Sequence, residues 1–354
     1  MIKHIFYSIF VLLPLITQAQ QDTSKSIQFS GYAEIYYSYD FDKPVYHDKP
    51  TFIYNHKRHN EVNVNLAFAK VSYKSPNVRA NGAIMTGTYA QYNLSEEPTL
   101  ASIIYEMNVG IKLFKNKNIW IDAGIMPSHI GFESAIGADC WNLTRSILAE
   151  NSPYYETGIK LSYSNASQSF TSSILVLNGW QNITRSPAKQ EPSFGLQLTY
   201  TPSKDLTINY SNYYHNYNYG FFDLFFTSTR IFHNFYALYN TTKKISMTFG
   251  FDYGQGSNDQ GPLRSWYAPV IIMRYKWNER IRLAVRVEYF ADPKNAIVSY
   301  NYPFKVMGLS TNLDVQINKE AQWRSEIKWY GADEKIFGGD KNNLAFTTAI
   351  TLKL

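Results

Sequence analysis

Apolar and polar positions alternate with a period of two through stretch after stretch of this chain. Over residues 280–290, Ile281, Leu283, Val285, Val287 and Tyr289 fall on one face, and Arg280, Arg282, Ala284, Arg286 and Glu288 on the other. Over 320–330, Ala321, Trp323, Ile327 and Trp329 oppose Glu320, Gln322, Arg324, Glu326 and Lys328. Residues 308–318 set Leu309, Leu313, Val315 and Ile317 against Ser310, Asn312, Asp314 and Gln316, and 105–113, 156–163 and 245–253 behave alike. A period of two sends successive side chains to opposite faces of a β-strand.

Short and long connections alternate between these segments. Short turns are expected at 75–77, 115–117, 165–167, 202–204, 242–243, 278–279 and 318–319. Long loops are expected at 42–57, 93–101, 128–153, 181–191, 218–228, 256–264, 292–302 and 331–341. The rhythm predicts an all-β fold of about 16 strands, a transmembrane up-and-down antiparallel β-barrel with periplasmic turns and extracellular loops. A barrel of that size leaves room for an aqueous channel. An Arg or Lys on the lipid face at mid-membrane costs about 2–4 kcal/mol, so the polar faces are expected to look into the lumen. A β-sandwich would share the local alternation but not the long strands, loop rhythm and aromatic load together. Lys70 breaks the pattern on the apolar side of its strand, and 169–180 and 229–241 are apolar on both faces. These exceptions leave the strand count open by one hairpin.

Composition sharpens the picture. The 354 residues include 29 Tyr and 22 Phe, a load that suits interfacial girdles. Tyr37, Tyr39 and Trp329 are expected at the long-loop rim, and Tyr163, Tyr200, Tyr275 and Trp277 near the short turns. Lys3, an apolar run from Ile5 to Ile16 and Thr17-Gln18-Ala19 read as a secretory signal peptide over residues 1–19. Residues 20–354 are then expected to form one barrel domain in the outer membrane of a Gram-negative bacterium. Cys140 is the single cysteine, so no intramolecular disulfide can form. The formal charge of +6 is spread without a basic run, and nucleic acid is not an expected partner.

The longest loop, 128–153, carries Ile130, Phe132, Ile136, Trp141, Leu143, Ile147 and Leu148, which need burial, and 141–150 has near-helical spacing. It is expected to fold into the lumen, with Glu133, Asp139, Arg145 and Glu150 as charges at a constriction. A lid over the outer rim is the alternative. Arg274, Lys276, Arg280, Arg282, Arg286, Arg324 and Lys328 come from consecutive strands and are expected to form a basic lumen wall. Left unmatched, the wall would favour anions. Paired with Glu288, Asp314, Glu320 and Glu326, it would be a cross-strand ladder with little net field.

Four segments also resemble a known family. Gly124 and Pro127, then Gly131, Glu133 and Ser134, then Asn142, Arg145 and Ser146, then Pro153 and Gly158 follow the pattern G-x-x-P, G-x-E-S, N-x-x-R-S and P-x-x-x-x-G. That pattern is similar to the Putative β-barrel porin-2 (OmpL-like) family of outer-membrane porins. The resemblance implies a diffusion channel and a homotrimer.

Other chemistry is sparse. His56-Lys57-Arg58-His59 lies in a loop without Cys or a clear carboxylate set, a weak metal pattern. No Gly-rich phosphate loop, nucleophile elbow or paired-Cys motif occurs, so neither enzyme nor cofactor is expected. The leading expectation is a porin for passive diffusion of small polar solutes or ions, with anion preference. The alternatives are a sugar-type channel using Tyr32, Tyr36, Tyr89 and Tyr213, or a non-conducting structural barrel. Expected partners are outer-membrane lipid, lipopolysaccharide and the assembly machinery, although the chain ends on Leu354 rather than an aromatic residue.

Overall fold

The computed structural model describes residues 25–185, 191–221, 224–257 and 261–354, and the expected signal peptide over 1–19 lies outside them. Sixteen strands form among the described residues. The first eight are β1 (Ser26–Asp40), β2 (Val62–Lys74), β3 (Val78–Thr86), β4 (Ile104–Lys112), β5 (Asn118–Pro127), β6 (Tyr155–Ser164), β7 (Phe170–Leu177) and β8 (Ser193–Ser203). There follow β9 (Leu206–Phe221), β10 (Leu224–Tyr239), β11 (Ile245–Ser257), β12 (Arg264–Lys276), β13 (Ile281–Asp292), β14 (Phe304–Gln316), β15 (Ala321–Ala332) and β16 (Asn342–Lys353). Each pairs antiparallel with its sequence neighbours, and β1 closes on β16. Gly31 N–H donates to the Leu354 carbonyl at 3.2 Å, and Leu354 N–H returns to Gly31 at 2.9 Å, so the last residue is part of the seam. Closure leaves no sheet edge, which a lipid-embedded sheet requires.

Apolar residues on the outward faces, such as Ile271, Val287, Leu309, Ile327 and Ile350, are exposed because their solvent is lipid. Their inward neighbours Ile272, Arg286, Ser310, Glu326 and Ala349 are buried. The two segments that look apolar on both faces have a simple cause. Leu175, Leu177 and Phe232 point inward and pack beneath material filling the lumen, so their inner face is not wet either.

Three local features depart from the sequence reading. First, Asn65 is an extra residue in β2: Glu34 pairs with Leu66 and Ile35 with Val64. This β-bulge reverses the parity of β2 and swings Lys70 into the lumen, where it meets Glu106 at 2.5 Å. Second, the long loop expected at 218–228 is mostly strand, with Leu224 paired to Phe221. Asn and Gly there look like turn formers, but the interleaved aromatics favour a continuing ladder. Third, the helical spacing over 141–150 yields only a short helix, α1 (Ile147–Glu150), capped by Ser146 Oγ accepting from Ala149 N–H at 3.2 Å. Trp141 to Arg145 instead runs along the wall and gives its backbone groups to wall side chains.

Candidate functional site: the clasped loop and the basic lumen

Residues 128–153 form a loop that grips itself before it grips the barrel. Arg145 donates to the backbone carbonyls of Ser134 at 2.6 Å, Leu143 at 2.9 Å and Ala135 at 3.1 Å. Glu133 accepts from Ser146 N–H at 3.0 Å and from the Ser146 hydroxyl. The G-x-E-S and N-x-x-R-S segments are therefore the two halves of one clasp. At its base, Gly124 and Gly158 face each other across the β5–β6 ladder. Gly124 has φ +127°, and a Cβ there would stand 2.2 Å from the Met107 carbonyl oxygen, so only glycine fits.

The clasped loop is fastened to β13, β14 and β15 from inside. Arg286, fully buried, donates to the Thr144 carbonyl at 2.8 Å and meets Glu326 at 3.0 Å, Glu288 at 3.3 Å and Glu133 at 3.4 Å. Arg324 takes Asp314 at 2.7 Å and the carbonyls of Gly137 and Cys140 at 2.5 and 2.9 Å. Lys328 reaches the Arg145 carbonyl at 2.7 Å. Returning contacts run from Ile147 N–H to Glu288 at 2.6 Å and from Thr144 N–H to Glu326 at 2.6 Å. The segment lies against the inner wall and not over the rim.

This geometry divides both sets of expected site residues between buried loop anchors and more exposed groups. Glu133, Arg145 and Glu150 are buried and occupied, Glu150 by the backbone N–H groups of Tyr54 and Asn55 at 2.9 and 3.1 Å. They hold loops, and Glu150 also borders the cavity on the long-loop side. Asp139 alone of the four keeps substantial exposure, paired with Lys353 at 2.6 Å. The basic wall divides in two. Arg286, Arg324 and Lys328 are consumed by carboxylates and loop carbonyls, because desolvated cations require such partners. Arg274, Lys276 and Arg282 lie lower and line a cavity of about 280 Å³ with Lys243 and Lys244 at the short-turn mouth. Arg282 is in register with Asp314, but Arg324 holds that carboxylate. Arg274 stacks on the Trp141 ring at 4.4 Å, and neither Arg274 nor Arg282 has an ion-pair partner among the described residues. Lys276 pairs with Glu279 at 2.7 Å, and Arg280 sits exposed in the turn before β13, off the wall.

Several residues that sequence reasoning missed complete the interior. Loop 41–61 enters the barrel, and its Phe52 packs against Phe304, Tyr330 and Phe337. The bulged Asn65 donates to Glu34 at 2.9 Å and accepts from His56 N–H at 2.8 Å, while His56 Nε2 meets the same Glu34 at 2.9 Å. His129 wedges into the opposite wall between Glu156 at 2.6 Å and the Asn212 carbonyl at 2.7 Å. With that carbonyl taken, Leu196 N–H turns to the Asn212 side chain at 3.0 Å. Period-two alternation carries no signal for such loop-to-wall bonds. Tyr32, Tyr36, Tyr89 and Tyr213 all point inward and are buried, Tyr32, Tyr89 and Tyr213 within the main apolar cluster and Tyr36 in a small one with Leu143 and Ala349.

A family model described as Putative beta-barrel porin-2, OmpL-like, matches residues 26–354, nearly the whole chain. The chain belongs to that family. It is an outer-membrane porin, a channel protein of the Gram-negative envelope. No curated protein matches this porin in sequence. Its fold is similar to the outer-membrane channel DcaP of Acinetobacter baumannii, with TM-score 0.62 and 11% identity over 95% of this chain and 99% of that one. It is similar to an anion-selective porin from Comamonas acidovorans, with TM-score 0.58 and 9% identity over 93% and 100% of the two chains. The trimer form of OmpT from Vibrio cholerae aligns with TM-score 0.59 and 12% identity over 94% and 100%. At these identities the likeness is one of fold.

Proposed function

We propose that residues 1–19 are removed on export and that the mature porin admits small polar solutes with a preference for anions. The observation that carries this reading is the lower half of the basic wall. Arg274 and Arg282 face the short-turn mouth without ion-pair partners among the described residues, beside Lys243 and Lys244, with Asp205 as the one carboxylate lining the same cavity. Fixed charges at a narrow mouth raise the local concentration of the opposite ion and set selectivity. The anion-selective porin among the structural relatives supports the reading at the level of fold. The trimer form of OmpT likewise supports a homotrimer for this chain.

The direct test reverses the two charges. The double variant Arg274→Glu, Arg282→Glu should move the reversal potential under a salt gradient from anion-preferring toward cation-preferring. An unchanged potential would place selectivity elsewhere. A second reading, a barrel closed at rest, is favoured by Phe52, which is 1% exposed within its ring cluster. In that case Phe52→Ala should convert a silent barrel into a conducting one.

A further inference from the structure

Three fully buried guanidiniums of this porin are spent on protein oxygens, whereas a half-buried one in the upper lumen is not. Arg145, Arg286 and Arg324 each bind several carbonyls or carboxylates. Arg230, on β10 above them, has none: among the described residues its guanidinium makes no ion pair and no hydrogen bond. Its contact is with the Trp180 ring, 4.7 Å from the guanidinium carbon. Trp180 is itself held edge-on by Tyr213 at 5.0 Å and Phe232 at 5.1 Å, so the shelf beneath the cation is packed from below. The neighbouring carboxylate of Asp292 is spent on the N–H groups of Ala296, Ile297 and Val298 at 2.7–2.9 Å.

Arg230 lines a cavity of about 400 Å³ that also includes Trp180, Tyr217, Ser228, Gln181 and Asn182. That volume is within the range of pockets that take small molecules. A guanidinium stacked on an indole has its flat face covered and its N–H fork unspent, the arrangement that takes a carboxylate through two parallel hydrogen bonds. The cavity's other wall holds Glu96, Glu97 and Glu150. Glu97 and Glu150 are bonded to loop N–H groups, and Glu96 is exposed. Three carboxylates opposite one cation tolerate a single negative charge better than two.

We infer that this outer vestibule is a recognition site for small ring-bearing monocarboxylates, with Arg230 taking the carboxylate beside Trp180. The site selects among solutes before they meet the loop, and it stands independently of the mouth selectivity proposed above.

The test is equilibrium binding to the refolded full-length barrel in detergent micelles, by calorimetry, with benzoate, benzyl alcohol and inorganic phosphate as probes. Benzoate should bind saturably, and benzyl alcohol and phosphate at least tenfold more weakly. Arg230→Gln should weaken benzoate at least tenfold, and Arg230→Lys should recover part of the loss. Trp180→Phe, which keeps a ring under the cation, should weaken it less. Heat-modifiable gel migration reports whether each variant is folded. Benzyl alcohol binding as well as benzoate, or benzoate binding unaltered in Arg230→Gln, would overturn the inference on the wild type or the variant respectively. So would the absence of saturable benzoate binding. Because the assay needs no ion flow, its failure leaves the channel reading intact, and a silent bilayer leaves this one intact.

Discussion

The Arg286 guanidinium donates to the Thr144 carbonyl at 2.8 Å across 142 positions of sequence. This bond, with the Glu326, Glu288 and Glu133 contacts around it, fastens the long loop to the barrel wall. Removing one member of such a buried network leaves the others without compensation, at about 3–5 kcal/mol. Arg286→Ala is therefore expected to lower the unfolding temperature and to give larger, noisier conductance steps as the loop leaves the wall. Unchanged steps and stability would mean that the loop is held by its apolar side chains alone.

Cys140 is a built-in reporter of the same docking. It is buried, and burial pushes its thiol up to about 11. The folded porin should resist maleimide at neutral pH and react only once unfolded. Arg324→Ala, which removes the bond to the Cys140 carbonyl, should make the thiol reactive without global unfolding. Rapid labelling of the wild type would contradict the docked position.

Gly124→Ala tests the base of the clasp. Alanine at φ +127° is strained, and its Cβ would meet the Met107 carbonyl oxygen at 2.2 Å. The backbone strain alone is worth about 1–2 kcal/mol, with the clash in addition. Refolding yield and the unfolding midpoint should both fall. A variant as stable as wild type would show that β5 can shift there at no cost.

Lys49, in the loop between β1 and β2, gives a pH dependence. Burial lowers its pKa from 10.5 to about 8, with Lys328 adding to the shift and Asp40, Glu150 and Glu326 opposing it. Between those values the unfolded chain binds more protons than the folded one, so stability rises with pH across that window. The contribution is complete above the unfolded value and is lost as pH falls toward about 8. Urea midpoints measured across the window should climb for wild type and climb less for Lys49→Met. Identical slopes for the two proteins would refute the assignment.

Strand count, turn positions and inward faces were legible because lipid and lumen impose opposite chemistry on alternate residues. Arg282, Arg286, Glu288, Arg324 and Glu326 all face inward as their alternation predicts. What the alternation could not tell was which inward charges stay free. Arg286 and Arg282 are equivalent in sequence, four residues apart on one strand, yet the loop reaches only the upper one. The resembling motif marked the right residues, but Glu133 and Arg145 bind each other's segments and not the passage. Lys70 looked misplaced because a bulge of one residue is silent in composition, and Asn65 shows itself only through the pairing it interrupts.

Conduction and the choice of ion by the free lower cations can be tested together. The deciding measurement is single-channel recording of the refolded wild-type barrel in planar bilayers, with the reversal potential taken under a potassium chloride gradient. Stable open steps with a potential of the sign for chloride preference are the predicted result. Open steps with cation preference would contradict the role given to Arg274 and Arg282, and a correctly folded barrel that never conducts would contradict the channel itself.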